Sequence, residues 1–152
     1  MLRSLDHWLG TVFAPKAGLV DVLFRLLTSL IFIIGGLGHF GRSDDMLLRM
    51  EETPWREVIR SIGDPLLLLH MSGAVFVIAG LMLAIGWMTR ISAILLFATL
   101  VPITVTIHFA PDHVGPLFKN VAILGALLLI MVRGPGAYAL DNRFSGSAPA
   151  QC

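Results

Sequence analysis

The chain has 152 residues, of which 56% are apolar and only 14% are charged, and its mean hydropathy is +0.83. A soluble domain of this length could not bury so much apolar surface, so lipid is the predicted surrounding of much of the chain. The net charge of +1 gives no reason to expect a nucleic acid as partner, and the single cysteine, Cys152, excludes an intrachain disulfide.

Four apolar runs follow one another along the chain, and each is predicted to be a membrane span. About 20 helical residues cross a hydrocarbon core of roughly 30 Å. A soluble bundle is disfavoured because the runs have so little polar face. We predict an all-α fold, a membrane-embedded four-helix bundle over residues 20–141, preceded by a cytoplasmic segment (1–19) and followed by a disordered tail (142–152). The predicted spans are residues 20–40, 66–86, 91–109 and 117–133.

The first run ends in the hexapeptide GGLGHF, residues 35–40. The run is too long for the apolar part of a signal peptide, and no small-x-small cleavage site follows it, so we expect it to remain as a span. Gly35 lies four residues before His39, on the same helix face. Because small residues mark the faces where membrane helices approach one another, the glycines are predicted to thin this helix where it meets its neighbours.

The loop of residues 41–64 is predicted to hold two short amphipathic helices. One begins near Ser43 and the other at Thr53-Pro54, while Asp64-Pro65 is predicted to cap the start of the second span. The interpretation we favour is a pair of interfacial helices that rest on the membrane, as amphipathic loops commonly do. The alternatives are a lid over the bundle or a docking surface for a partner.

Four spans put both termini on the same side of the membrane. The Lys and Arg counts of the two sides are close, but the basic N-terminus and the short turn at Arg90 favour the cytoplasm for the termini. The loop of residues 41–64 is then extracytoplasmic.

Each predicted span carries one polar residue near the loop side of the bundle. His39 and His108 end the first and third spans, and His70 and Asn120 follow the starts of the second and fourth. All four residues therefore lie at a similar predicted depth. Pro102, in the third span, has no N–H to donate to the carbonyl of Ala98, so the span is predicted to be kinked there. The kink could open a cavity, or Pro102 could be only a tolerated membrane proline.

These four side chains admit two main interpretations. They could hydrogen-bond one another or interfacial water and do nothing else. Alternatively, His39, His70, His108 and Asn120 could form a pocket for the carbonyls of a quinone headgroup, since histidine donates, accepts and titrates near neutral pH. Haem, copper or zinc ligation is a weaker hypothesis, because no spacing motif and no neighbouring carboxylate supports it, and we predict no metal site.

Four arginines of the loop are candidate residues for attracting an anionic substrate. The neighbouring acidic residues argue against a strong positive field there. The arginines concerned are Arg42, Arg49, Arg56 and Arg60.

Several motifs together resemble the DoxX family of small four-helix membrane proteins. They are the glycine-rich end of the first run, the turn LAIGWMTR, the sequence TIHF, and above all the closing block KNVAILGALLLIMVRGPGAYALD. The resemblance covers residues 20–141 and implies a four-helix bundle in a prokaryotic inner membrane. It also implies a link to redox chemistry, because the family includes the small subunit of a thiosulfate:quinone oxidoreductase and members associated with thiol-redox or oxidative-stress complexes.

The leading hypothesis is therefore a membrane subunit of a quinone-linked redox system, supplied with electrons by a partner subunit. The alternative is a non-catalytic subunit that packs against a larger membrane complex through small-residue faces, such as Gly80 with Ala84 or Ala122 with Ala126. A small-solute transporter is less favoured, since no charged residue lies at mid-depth in a span. A homo-oligomer stays open, as does whether the chain is catalytic at all.

Overall fold

The computed structural model describes residues 2–107 and 114–144, and in these ranges all regular structure is helical. Four helices are long and apolar enough to cross a membrane, which confirms the predicted fold class. A 3₁₀ turn, Ala14–Lys16, separates the first two helices. The helices are α1 (Leu2–Phe13), α2 (Ala17–Gly41), α3 (Ser43–Glu52), α4 (Arg56–Ile62), α5 (Pro65–Ile85), α6 (Thr89–Ile107), α7 (Val114–Arg133) and α8 (Asp141–Phe144).

The spans α2, α5, α6 and α7 begin and end within a few residues of the predicted runs. The Asp64 carboxylate accepts a hydrogen bond of 2.8 Å from the Leu67 N–H, so the predicted cap of α5 is present. At its other end α5 stops at Gly86, whose φ of +71° is readily adopted only by glycine. His108 and Phe109, which end the third predicted run, lie outside the described residues.

The bundle has a narrow packed core and an apolar outer surface. The largest fully buried apolar side chains include Phe32 of α2, Leu83 of α5, Leu96 of α6 and Leu127 of α7, so each span contributes to the core. The outward faces are also apolar but remain about half exposed. In water this surface would be costly, whereas acyl chains solvate it. Outward-facing residues include Leu23, Leu30, Ile34, Ile78 and Leu128.

The spans α2 and α5 approach each other closely, and glycines permit this contact. A Cβ atom built on Gly36 would lie 2.7 Å from the Gly73 carbonyl oxygen, and one built on Gly73 would lie 2.8 Å from the Cβ of His39. Gly35, in contrast, has nothing within 4 Å of such an atom. The predicted glycine contact therefore exists, but it is made by Gly36 rather than Gly35.

Helix α1 was not anticipated in the segment predicted only as a cytoplasmic N-terminus. Leu5, Trp8, Leu9 and Phe13 recur at helical spacing, and each is between 39% and 58% exposed. An amphipathic helix whose apolar stripe stays about half exposed is typical of one lying in the membrane interface. Hydropathy alone misses such a helix because its polar face lowers the average.

The α5–α6 turn and residues 134–141 meet at one end of the bundle, here called the terminal end. The Asp141 carboxylate accepts hydrogen bonds from the N–H groups of Met88 and Thr89, at 2.6 and 2.9 Å, and from the Thr89 hydroxyl at 2.8 Å. It thereby caps the N-terminus of α6 from a distant part of the chain. Partial burial raises the pKa of Asp141, but these hydrogen bonds and the Arg25 charge together hold the pKa below its ordinary value of 3.8.

Arg25 secures the same end of the bundle from within α2. Its side chain is only 4% exposed. The guanidinium donates to the carbonyl of Ala84 at 3.3 Å and to the carbonyl of Pro135. It thus joins α2, α5 and the closing segment, which is an anchoring role. The predicted tail begins differently from expectation, since Asn142–Phe144 belong to the helical turn α8 and residues 145–152 lie outside the described residues.

Helices α3 and α4 cover the opposite end, here called the loop end. The buried Thr53 hydroxyl donates to the carbonyl of Thr106 in α6, which ties the loop to the bundle. A salt bridge of 2.5 Å between Arg60 and Glu51 joins α4 to α3. Ile59 is buried, whereas Leu48 and Trp55 are exposed by 64% and 40%. The two helices therefore cover the end of the bundle, as a lid would, and their outer side is apolar enough to lie in the membrane interface.

Candidate functional site

A cavity of about 420 Å³ lies at the loop end. This volume is within the range of about 300–1,000 Å³ that small-molecule sites occupy. Helices α3 and α4 contribute to its wall from the loop, and α2, α5 and α6 contribute from the bundle. Its apolar lining consists of Met46, Met50, Ile59, Ile62, Leu68, Leu69, Pro102, Ile103 and Ile107.

Pro102 lies inside α6 and contributes to the cavity wall. Proline has no N–H, so the helical hydrogen bond to the Ala98 carbonyl is missing. In the next turn two hydroxyl groups bond other carbonyls of the same helix: Thr104 donates to the Leu100 carbonyl at 2.7 Å, and Thr106 donates to the Pro102 carbonyl at 2.8 Å. Pro102 thus removes one backbone hydrogen bond from α6 beside the cavity.

His39 is the most deeply placed polar side chain of the cavity lining. It is 9% exposed, and its Nδ1 lies 3.1 Å from the Leu69 carbonyl oxygen and 2.9 Å from the Ser72 hydroxyl oxygen. The ring also contacts Phe76, with centroids 5.5 Å apart. Gly73 permits this position because any larger residue would collide with the Cβ of His39. The close α2–α5 contact therefore sets where the imidazole lies.

The other predicted pocket residues are not in this cavity lining. His70, on α5, is half-buried and stacks on Phe40, with centroids 5.2 Å apart and the rings 17° from parallel. Asn120 is 4% exposed, and its amide donates to the Thr104 hydroxyl at 3.0 Å, which joins α7 to α6. His108 lies outside the described residues. Of the three predicted residues that are described, His39 alone lines the cavity.

The four arginines of the loop have different surroundings. Arg60 bonds Glu51 and lies 3.6 Å from Glu57, and Arg56 lies 3.5 Å from Glu57, so acidic partners offset both charges. Arg42 is exposed and packs over Gly38. Arg49 is also exposed and contributes to the cavity lining. Among these arginines, Arg49 is therefore the one placed to meet the charged group of a ligand in the cavity.

Sequence reasoning missed Ser72, which lines the cavity and contacts His39. The sequence does show that Ser72 lies only two residues after His70 and therefore at a similar depth in the membrane. Depth along a helix, however, does not reveal which polar residue faces the neighbouring helix. Thr99 and Thr106 supply further hydroxyls to the lining. In the part of the chain that the structure describes, no three His, Cys, Asp or Glu side chains cluster closely enough to hold a metal ion.

The arrangement suits an apolar, membrane-soluble molecule with one hydrogen-bonding end. Apolar side chains dominate the lining, and His39 supplies a polar contact inside it. Few precisely placed polar groups in a mostly apolar cavity are typical of sites that orient a small ligand.

Comparisons with known proteins agree with the sequence motifs. The DoxX family model matches residues 20–109. The chain is 33% identical over 132 residues to Inner membrane protein YphA of Escherichia coli (strain K12), an alignment that covers 80% of this chain and 88% of the relative. No solved structure gives a significant match. The match to the family model stops before the closing block that anchors the terminal end.

Proposed function

The chain belongs to the DoxX family, and from this premise we propose that it is the membrane subunit of a quinone-linked redox system. It would lie in a prokaryotic inner membrane with both termini in the cytoplasm, as the charge pattern favours. The relative that shares 33% identity carries the name Inner membrane protein, which supports this location. A partner subunit would supply the electrons.

The observation that carries the proposal is the 420 Å³ cavity with His39 in its lining. A quinone needs an apolar space for its ring and tail and a hydrogen-bonding group for its oxygens. The cavity combines the two at the end of the bundle where α3 and α4 meet the spans. Histidine can also exchange a proton near neutral pH, as the uptake of two electrons and two protons by a quinone requires.

A more specific form of the proposal couples this site to thiosulfate. Two thiosulfate ions would form tetrathionate and release two electrons, and the quinone would take up these electrons with two protons to become a quinol. Arg49 is the loop arginine best placed for such an anion, because Arg56 and Arg60 are already near acidic partners. The anion would react at the partner subunit, and Arg49 would raise its local concentration.

Quinone binding by the purified full-length protein tests the proposal. Decylubiquinone and decylubiquinol are titrated separately into protein in lipid nanodiscs. At least one of the two should bind saturably, and His39→Ala should weaken the binding of that redox form about tenfold, as loss of one buried hydrogen bond does. His70→Ala is the matched control, because His70 lies on the neighbouring span but outside the cavity lining. Absence of saturable binding, or equal affinity of wild type and His39→Ala, would reject the site.

A second candidate is a non-catalytic subunit of a larger membrane complex. Gly125 of α7 is exposed and has nothing within 4 Å of a built Cβ atom, and Ala122 on the same helix is exposed too. Gly80, by contrast, packs inward against Ile33, so the face of Gly80 and Ala84 is partly used within the bundle. If a copurifying assembly loses nothing in turnover with His39→Ala but dissociates with Gly125→Leu, this second function is favoured.

A further inference from the structure

The hydrogen bonds of His39 fix which of its ring nitrogens carries the proton. A carbonyl oxygen only accepts, so the contact of 3.1 Å between Nδ1 and the Leu69 carbonyl requires a hydrogen on Nδ1. Without that hydrogen, two lone pairs would face each other inside the bundle. The neutral imidazole is therefore the Nδ1–H form, and its Nε2 is a bare acceptor.

Ser72 reinforces the same assignment. Its hydroxyl lies 2.8 Å from the Leu69 carbonyl oxygen, to which it donates, and 2.9 Å from Nδ1, from which it accepts. A hydroxyl has one hydrogen, so donation to the carbonyl leaves only its lone pairs for Nδ1. In this set of three groups, the Nδ1–H of His39 and the hydroxyl hydrogen of Ser72 both have acceptors, and the Leu69 carbonyl accepts from both. Among the described residues, Nε2 of His39 has no hydrogen-bond partner.

We infer that the cavity selects the reduced, hydroxyl-bearing form of its ligand, a quinol, and that Ser72 is a positioning residue that strengthens this preference. The inference rests on the proposed function of the cavity. A quinol O–H donates to the bare Nε2, whereas a quinone carbonyl presents a lone pair to a lone pair. Leaving such a buried acceptor unmatched produces about a tenfold difference in affinity or more.

This preference has a redox consequence. A site that binds the quinol more tightly than the quinone raises the reduction potential of the bound couple. For a two-electron couple, a tenfold ratio of dissociation constants corresponds to about 30 mV. The bound quinone is then a better electron acceptor than the same quinone free in the membrane.

The test compares the dissociation constants of decylubiquinone and decylubiquinol, measured without oxygen on full-length protein in nanodiscs. Wild type should bind the quinol at least about tenfold more tightly. Ser72→Ala should lower the ratio of the two constants without abolishing it, because the Leu69 carbonyl still accepts from Nδ1. Ser72→Thr, which retains the hydroxyl, should restore the ratio. Ser92→Ala is the matched control, since it removes a buried hydroxyl that donates to the Trp87 and Met88 carbonyls at the other end of the bundle.

A second measurement does not depend on any variant folding. In protein labelled with ¹⁵N-histidine, a bare ring nitrogen resonates far downfield of one that carries hydrogen, so Nε2 of His39 should appear in the downfield range. Hydrogen on Nε2 with Nδ1 bare, or equal affinity for the two redox forms, overturns the inference while the proposed function stands. If neither form binds, the proposed function fails and the inference fails with it.

Discussion

Gly35 and Gly36 are adjacent on α2 and should respond oppositely to alanine. An alanine Cβ at position 36 would lie 2.7 Å from the Gly73 carbonyl oxygen and 2.9 Å from both the Cβ of Phe76 and the Cγ2 of Val77. The nearest of these atoms is backbone, which cannot rotate away, so α2 and α5 must separate. At position 35 the same Cβ atom meets nothing within 4 Å.

The magnitude follows from comparing the two variants rather than either with wild type. Alanine improves helix propensity by about 0.5–1 kcal/mol over glycine, and this gain is common to both positions. The difference between the two variants is therefore the steric cost alone, which for overpacking is about 1–3 kcal/mol. Gly36→Ala should have the lower free energy of unfolding by that amount.

Equilibrium unfolding of the purified protein in mixed micelles of increasing SDS content, followed by far-UV circular dichroism, measures this difference. Gly73→Ala should resemble Gly36→Ala, because its Cβ would lie 2.8 Å from the Cβ of His39. If Gly36→Ala is as stable as Gly35→Ala, the two helices do not approach as closely as described, and the placement of His39 loses its support.

Three further outcomes are expected. Asp141→Ala removes three hydrogen bonds and should lower the free energy of unfolding by about 2–3 kcal/mol. Asp64→Ala, whose carboxylate accepts one hydrogen bond, should lower it by about 1 kcal/mol. Equal losses in the two variants would contradict the capping role of Asp141. Because folding lowers the pKa of Asp141, the carboxylate stabilises the folded protein fully at neutral pH. This stabilisation is lost as the pH falls from about 3.8 through the lower pKa of the folded state. If the thermal midpoint of Asp141→Asn has the same acid dependence as that of wild type, this prediction is wrong. Thr53→Val removes the hydrogen bond to Thr106 and should speed amide hydrogen exchange in α3 and α4 but not in α7, and unchanged exchange would show that other contacts hold the loop.

The orientation has a test of its own. In intact spheroplasts, Cys152 should resist a membrane-impermeant maleimide and react after permeabilisation, since both termini are proposed to be cytoplasmic. Labelling of intact spheroplasts would reverse the orientation and place the cavity on the cytoplasmic side.

Most of the fold was accessible from the sequence because the spans depend on hydrophobic length, which is a local property. The cap at Asp64 and the stop at Gly86 were accessible for the same reason, since turn and cap chemistry is read over a few residues. Helix α1 was missed because its apolar stripe is interrupted by polar residues, and an average over the segment conceals it.

The site was only partly accessible, because depth along a span can be counted but rotation about its axis cannot. Counting placed His39, His70 and Asn120 at one level, yet the α2–α5 contact turns His39 into the cavity wall while His70 stacks on Phe40. That rotation depends on Gly36 meeting Gly73, a contact between residues far apart in the sequence. Ser72 was missed on the same ground, since its partner belongs to another helix.

The cap that Asp141 provides for α6 has a consequence for biogenesis. The chain is synthesised from its amino end, so the residues of the third span are made before the carboxylate that caps it. Until then the first turn of that helix must find its acceptors in water or lipid headgroups. The cap of α6 is therefore completed only after residue 141 has been translated. A shortened product that ends before residue 141 lacks the carboxylate that closes the turn between its two central spans.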